Sequence, residues 1–326
     1  LAGVLAVVAL GWLATRRGCL GAGDPGPVLS GAAFTVFVPA LLFRTTALVD
    51  LSALPWTTLA AFFVPALVCL LAVYLIARVR GGSQPDAGPA VAAITVTFGN
   101  TVQVGIPVVV ALYGQEGLRL HIAIVSLHAL TIFTVVTALA EIDLARAAAG
   151  QASDGQASDG QASDGRPAVV RTVLTTARNT VIHPVVLPVL AGLAWNLSGV
   201  VLPAAVDDVL QLLGQAVVPL CLVLIGVSLA RHTGWEAVGQ ASVLGAAKLF
   251  VLPALVLVTG RWLLHLHGMP LEVAVLAAAL PVGSNALLFA QRYRTLEGET
   301  TTAIVLSTTA FPLTLPIWLA VLAALR

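Results

Sequence analysis

The chemistry in this sequence is concentrated in amides and hydroxyls set beside helix breakers. Residues 98–107 read FGNTVQVGIP, so Asn100, Thr101 and Gln103 sit next to Gly105 and Pro107. A second cluster, PVGSN, places Pro281 and Gly283 before Ser284 and Asn285. Both clusters interrupt long apolar runs. Neutral amides at the start of a half-helix suit capture of a small anion by hydrogen bonds and by the positive end of the helix dipole. They do not suit bond making. The sequence has no HExxH, no Walker loop, no GxSxG in a plausible setting and no paired carboxylates inside an apolar run. Neither an enzyme nor a nucleotide-driven pump is expected.

The elements that position these groups follow from composition. The chain has 326 residues, 59% hydrophobic and 10% charged, against about 25% charged in a soluble domain. Its apolar runs are long and do not alternate, which predicts helical membrane spans and excludes a membrane barrel. Ten spans are expected, at roughly 1–15, 28–48, 55–78, 88–112, 118–140, 175–197, 203–230, 237–260, 271–291 and 301–325. The first run stops at Arg16-Arg17, short of the ~20 residues a span needs, so we expect residues to precede Leu1. Between the fifth and sixth spans GQASD occurs three times, from Gly150 to Asp164. Such a tract cannot bury a core and predicts a disordered linker over 141–174, separating a first unit, 1–140, from a second, 175–326.

Eleven arginines fall in the odd-numbered loops, and four in the even-numbered loops and C-terminus. This bias puts the odd loops and the GQASD linker in the cytoplasm and both termini outside. The net charge of +1 suggests no nucleic-acid partner. The three cysteines, Cys19, Cys69 and Cys221, read as small apolar fillers, with no metal site or cofactor expected. The near absence of lysine beside many Ala, Gly, Val and Arg points to a GC-rich bacterial genome.

Five spans on each side of the linker force the two halves into opposite orientations. At an offset of 184, Gly99 falls on Gly283, Asn100 on Ser284 and Thr101 on Asn285. Each half thus carries its polar break in its fourth span. Inverted repeats with matching breaks point to a secondary transporter whose site lies where the breaks meet. Lipid cannot satisfy the backbone groups a break releases, so the break must be buried in protein or line a cavity.

Other residues divide between structural and functional readings. Asn100 and Asn285 either cap broken helices or also face substrate. Pro107 and Pro281 read as helix breakers first. Lys248 lies roughly 18 Å from either end of its span, too deep to reach water easily; it either attracts a carboxylate substrate or stands in for a coupling cation, or binds backbone carbonyls of a broken helix. Arg44 reads as a snorkelling arginine, and Asp207 and Asp208 as acids at a helix N-terminus. His265 and His267 do not share a helix face. His121, His128 and His183 read as packing residues.

Four stretches resemble the auxin efflux carrier family, whose bacterial members include malonate-transporter-like permeases. They are FGNTVQVGIPVVVALYG (98–114), FVPALLF (37–43), LLGQAVVPLCLVLIGVSLA (212–230) and LPVGSNALLFAQRY (280–293). That family is similar in fold to the bile-acid–sodium symporters. The resemblance implies an all-α polytopic membrane protein with ten spans as two inverted five-helix repeats. The fourth and ninth helices would break and cross in a transport domain that moves against a scaffold. It implies a small organic anion as substrate, a bacterial inner membrane, and a first crossover at Asn100, Gly105 and Pro107 and a second at Pro281, Gly283, Ser284 and Asn285; substrate contacts are expected at Asn100, Thr101, Gln103, Gly105, Pro107, Gly283, Ser284 and Asn285, with Pro107 and Pro281 breaking the helices. Proton or sodium coupling stays open, and a homodimer is admitted. A sodium-coupled bile-acid-type symporter and a transporter-like sensor or scaffold without flux are the alternatives. The second motif departs from the first: Phe289-Ala290-Gln291 replaces a trailing Gly-x-Pro. The first break is therefore expected to be the sharper.

Overall fold

A computed structural model of the chain describes residues 2–20, 25–49, 54–80, 87–155, 186–231 and 236–325. They form α1 (Ala2–Arg16), α2 (Pro25–Leu48), α3 (Trp56–Arg80), α4 (Gly88–Thr97), α5 (Ile106–Gly155, two helical runs meeting at a kink where Gly114 takes φ 60°), α6 (Val186–Ser198), α7 (Ala204–Arg231), α8 (Val238–Leu263), α9 (Met269–Ala279), α10 (Asn285–Tyr293) and α11 (Glu297–Ala324). Among the described residues there is no sheet, and a single antiparallel bridge joins Gly99 to Val282. Among the described residues six helical stretches are long and apolar enough to cross a bilayer: α2, α3, Thr101–Ala147, Ala204–Ser228, α8 and α11. The protein is an all-helical, multi-pass membrane protein, in which helices satisfy their own backbone where lipid cannot.

Prolines shape the long helices. π-helical turns at Ala33–Phe37, Thr101–Gly105 and Ala247–Val251 each end two residues before a proline: Pro39, Pro107 and Pro253. A proline ring clashes with the carbonyl four residues earlier and offers it no N–H. Widening the preceding turn moves that carbonyl aside. For Pro253 the released carbonyl is that of Leu249, and it accepts the Trp318 indole N–H at 2.8 Å.

The helices pack as two groups. One contains α1, α2, α6 and α7, with α1 against α7 and α2 against α6 and α7. Gly226 lets α1 and α7 approach closely, since a Cβ there would strike the Val8 carbonyl and the Trp12 backbone. The other group contains α3, α4, α5 and α8 to α11. At its centre lie α4 and α9, almost wholly buried and apolar but for Thr95, Thr97 and Glu272. A half-buried pair, Arg78 Nη1 to the buried Asp143 Oδ1 at 2.6 Å, ties α3 to α5, and the Tyr74 hydroxyl donates to the same carboxylate at 2.7 Å. Tyr293 donates to Glu141 at 3.0 Å and ties α10 to α5.

Three expectations change. The helix expected to end near 140 continues as α5 to Gly155, because LARAAAG is rich in strong helix formers. Residues 156–185, which hold most of the expected linker and the start of the expected sixth span, lie outside the described residues. Arg44 does not snorkel. Its guanidinium grips Asp207 with two bonds, at 2.6 and 3.0 Å, joining α2 to α7. Finally, the second break is the longer one: residues 280–284 leave the helix, against 98–100 in the first. Pro281 and Gly283 suffice without a trailing Gly-x-Pro, and after 98–100 the chain recovers through a π-turn instead.

Candidate substrate site at the crossing of two broken helices

Backbone builds the crossing. α4 ends at Thr97, and Phe98 is extended (φ −84°, ψ 112°). α9 ends at Ala279, and Leu280 is extended (φ −58°, ψ 149°), as a residue before proline must be. The two extended segments meet antiparallel. Asn100 N–H donates to the Pro281 carbonyl and Gly283 N–H to the Phe98 carbonyl, each at 2.8 Å. These bonds flank the facing pair Gly99 and Val282, whose own N–H groups therefore turn away from the bridge. Each finds a side-chain acceptor. Gly99 N–H donates to His128 Nε2 at 3.1 Å, and Val282 N–H to Ser307 Oγ at 3.0 Å. Glycine is required at 283, where a Cβ would stand 2.8 Å from the Gly99 carbonyl oxygen.

Two histidines of α5 hold the first break, in opposite protonation patterns. His121 Nε2 lies 2.8 Å from the Thr101 carbonyl, so it must carry a proton to donate. His128 Nε2 accepts from Gly99, so it must carry none. The Nδ1 atoms of both rings are buried without a partner. The His128 ring packs against Phe62 and Phe98.

A cavity of about 280 Å³ opens beside the crossing, between the two helix groups. Leu41, Leu42, Thr45 and Thr46 of α2 and Val217 and Val218 of α7 line one side. The two breaks and α5 residues that include Ser126 and His128 line the other. Among the described residues that line it there is no Asp, Glu, Lys or Arg. The polar groups are neutral amides, hydroxyls and an imidazole on apolar walls, which suits a small ligand held by a few directed hydrogen bonds.

Of the residues singled out from sequence, Asn100, Thr101, Gln103, Gly283, Ser284 and Asn285 meet around this cavity. Asn100 is buried, yet its side chain does not cap the turn that follows. Ser284 likewise makes no side-chain cap at α10. Asn285 Oδ1 accepts the Cys221 thiol at 3.3 Å, a contact from α7 to α10 across the two groups. Gly105, Pro107, Pro281 and Lys248 do not line the cavity. Gly105 is packed against His121 and Leu280, Pro107 follows the π-turn, and Pro281 supplies its carbonyl to the bridge.

Lys248 sits behind the crossing, fully buried. Its Nζ donates to the Ala278 carbonyl at 2.5 Å, one of the carbonyls that the end of α9 leaves without a helical partner. A Cβ on Gly99 would meet the same Nζ at 3.4 Å, so the ammonium lies against the back of the bridge. Among the described residues no group of three or more His, Cys, Asp or Glu could hold a metal ion. The sequence reading missed His121, His128, Cys221 and Ser307. The histidine spacing of seven residues along one apolar run was the available signal, since it puts both rings on one helix face.

Buried, bridged breaks in a multi-pass helical protein, facing a cavity between two helix groups, are the architecture of a membrane transporter. The family described as "Membrane transport protein" matches residues 1–319. The chain belongs to it, the auxin efflux carrier family of membrane transporters. Among its relatives, the "Uncharacterized transporter YfdV" of Escherichia coli K12 is 31% identical over 138 residues, 42% of this chain and 43% of that protein. "Auxin efflux carrier component 8" of Arabidopsis thaliana is 25% identical over 240 residues, 65% of each chain. The "Putative malonate transporter" of Rhizobium meliloti is 29% identical over 147 residues, 44% of each chain. The chain thus spans less than two thirds of the length of each of these relatives.

Proposed function

We propose that the protein is a secondary transporter of small organic anions, mono- or dicarboxylates, working by alternating access in a bacterial inner membrane. In this reading ten spans form two inverted five-helix repeats, residues 1–140 and 175–326, joined by a cytoplasmic linker. The group containing the crossing moves against α1, α2, α6 and α7, carrying the site from one face to the other. Asn100, Thr101, Gln103, Ser284 and Asn285 hydrogen-bond the carboxylate, helped by the helix N-termini that begin after each break. One observation carries the reading: the two breaks are bridged to each other and face a cavity between the two helix groups. The name of the Rhizobium relative supports the substrate class. The test is uptake of radiolabelled mono- and dicarboxylates by proteoliposomes. At least one should enter at a saturable rate that Asn100→Ala or Asn285→Ala removes while the protein still inserts and purifies. Wild-type uptake by both variants would sink the site assignment.

A further inference from the structure

We propose that the transported anion is coupled to a proton, and that His128 carries it. The inference rests on the transporter reading above and deepens it. The lone pair of His128 Nε2 is occupied by the Gly99 N–H at 3.1 Å. A proton at Nε2 would use the same lone pair, and an imidazolium has two donors and no acceptor. Proton binding and the Gly99 bond therefore exclude each other. When the proton binds, Gly99 N–H is released and His128 becomes positive, and both residues line the cavity. Each change adds anion-binding capacity beside Asn100, Ser284 and Asn285.

The surroundings make this uptake conditional. The titratable groups that act on His128 are Lys248 of α8 and His121 of α5. α3 presents Phe62, the first break presents Phe98, and Cys69 of α3 lies in the field of Lys248. Among the described residues that line the cavity beside the ring there is no carboxylate. A proton on His128 thus has no counter-charge until an anion enters the cavity. Proton and carboxylate load together, and neither crosses alone. On the far side the carboxylate leaves, the proton returns to water from Nε2, and Gly99 N–H reclaims the lone pair. A monocarboxylate then moves with no net charge.

The test uses the full chain in proteoliposomes, with radiolabelled malonate and a set of monocarboxylates as probes. For a monocarboxylate, one pH unit, acid outside, should drive accumulation up to about tenfold, because one unit of proton gradient is worth a factor of ten. His128→Gln offers an amide oxygen to Gly99 N–H but takes up no proton. It should slow exchange severalfold and erase the response to the gradient. Gradient-driven accumulation by His128→Gln, or wild-type accumulation driven by sodium and indifferent to pH, overturns the proton assignment and leaves the transporter reading standing. Absence of any carboxylate exchange by the wild type overturns both. A readout independent of transport is 15N NMR of histidine-labelled protein, assigned by difference from His128→Gln. Without substrate at neutral pH, His128 should be neutral with Nδ1 protonated. An imidazolium there overturns the proposal.

Discussion

The two breaks share a backbone geometry and differ in what holds them. Each contributes one N–H and one carbonyl to the bridge and turns one N–H outward. At the first, α5 meets that N–H with an imidazole. At the second, α11 meets it with a hydroxyl. The end of α9 also receives an ammonium, Lys248, on its Ala278 carbonyl. The lesson is that the backbone problem recurs at both breaks while its side-chain solution is free to diverge. A titratable acceptor on one side only makes the crossing chemically asymmetric.

The largest test of that pairing is Gly283→Ala. Its Cβ would meet the Gly99 carbonyl oxygen at 2.8 Å, whereas a Cβ at Gly99 meets nothing closer than 3.4 Å. Gly283→Ala should abolish transport and lower the melting temperature in detergent, and Gly99→Ala should do much less. Equal effects would break the account of the bridge. Next comes the amide left uncapped. Asn100→Ala should cut carboxylate uptake roughly ten- to hundredfold, the loss of a hydrogen bond to a charged group worth about 1.5–3 kcal/mol, with little change in melting. A collapse in stability would return Asn100 to a structural role.

Smaller effects sharpen the comparison. Ser307→Ala strands the Val282 N–H, and His128→Leu strands that of Gly99. Each should cost about 1–3 kcal/mol in denaturation, the penalty of an unmet buried donor. A cost at one side alone would mean that water replaces the other partner. The smallest effect is expected at Arg44→Ala. Its pair with Asp207 leaves the two side chains 30% and 28% exposed, and pairs so wetted contribute little. Melting should shift barely, and the double variant with Asp207→Ala should look like either single one.

Much of the fold could be read in the sequence because it is written in local signals. Long apolar runs give the helices, and Gly and Pro inside them give both breaks. Of the six site residues that meet at the cavity, five were identifiable as polar groups beside those breakers, and the sixth, Gly283, is one of the breakers. What escaped depends on distant pairing. Nothing near Arg44 announces Asp207, and nothing near Val282 announces Ser307. The π-turns at Ala33–Phe37, Thr101–Gly105 and Ala247–Val251 also escaped, although each has its proline two residues on, since the proline acts on the turn before it. The length of α5 escaped for a different reason: alanine-rich sequence next to a polar tract was read with the tract.

The bridge also constrains how the protein is made. Gly99 and Val282 lie 183 residues apart in the chain. At about 5–20 residues per second, the ribosome delivers the second partner roughly 10–40 s after the first. Through that interval the Phe98 carbonyl and the Asn100 N–H must be satisfied by something other than Gly283 and Pro281. The newly inserted first break therefore waits in the membrane with an open backbone site, in the care of water or the insertion machinery, until the segment after α9 arrives to close it.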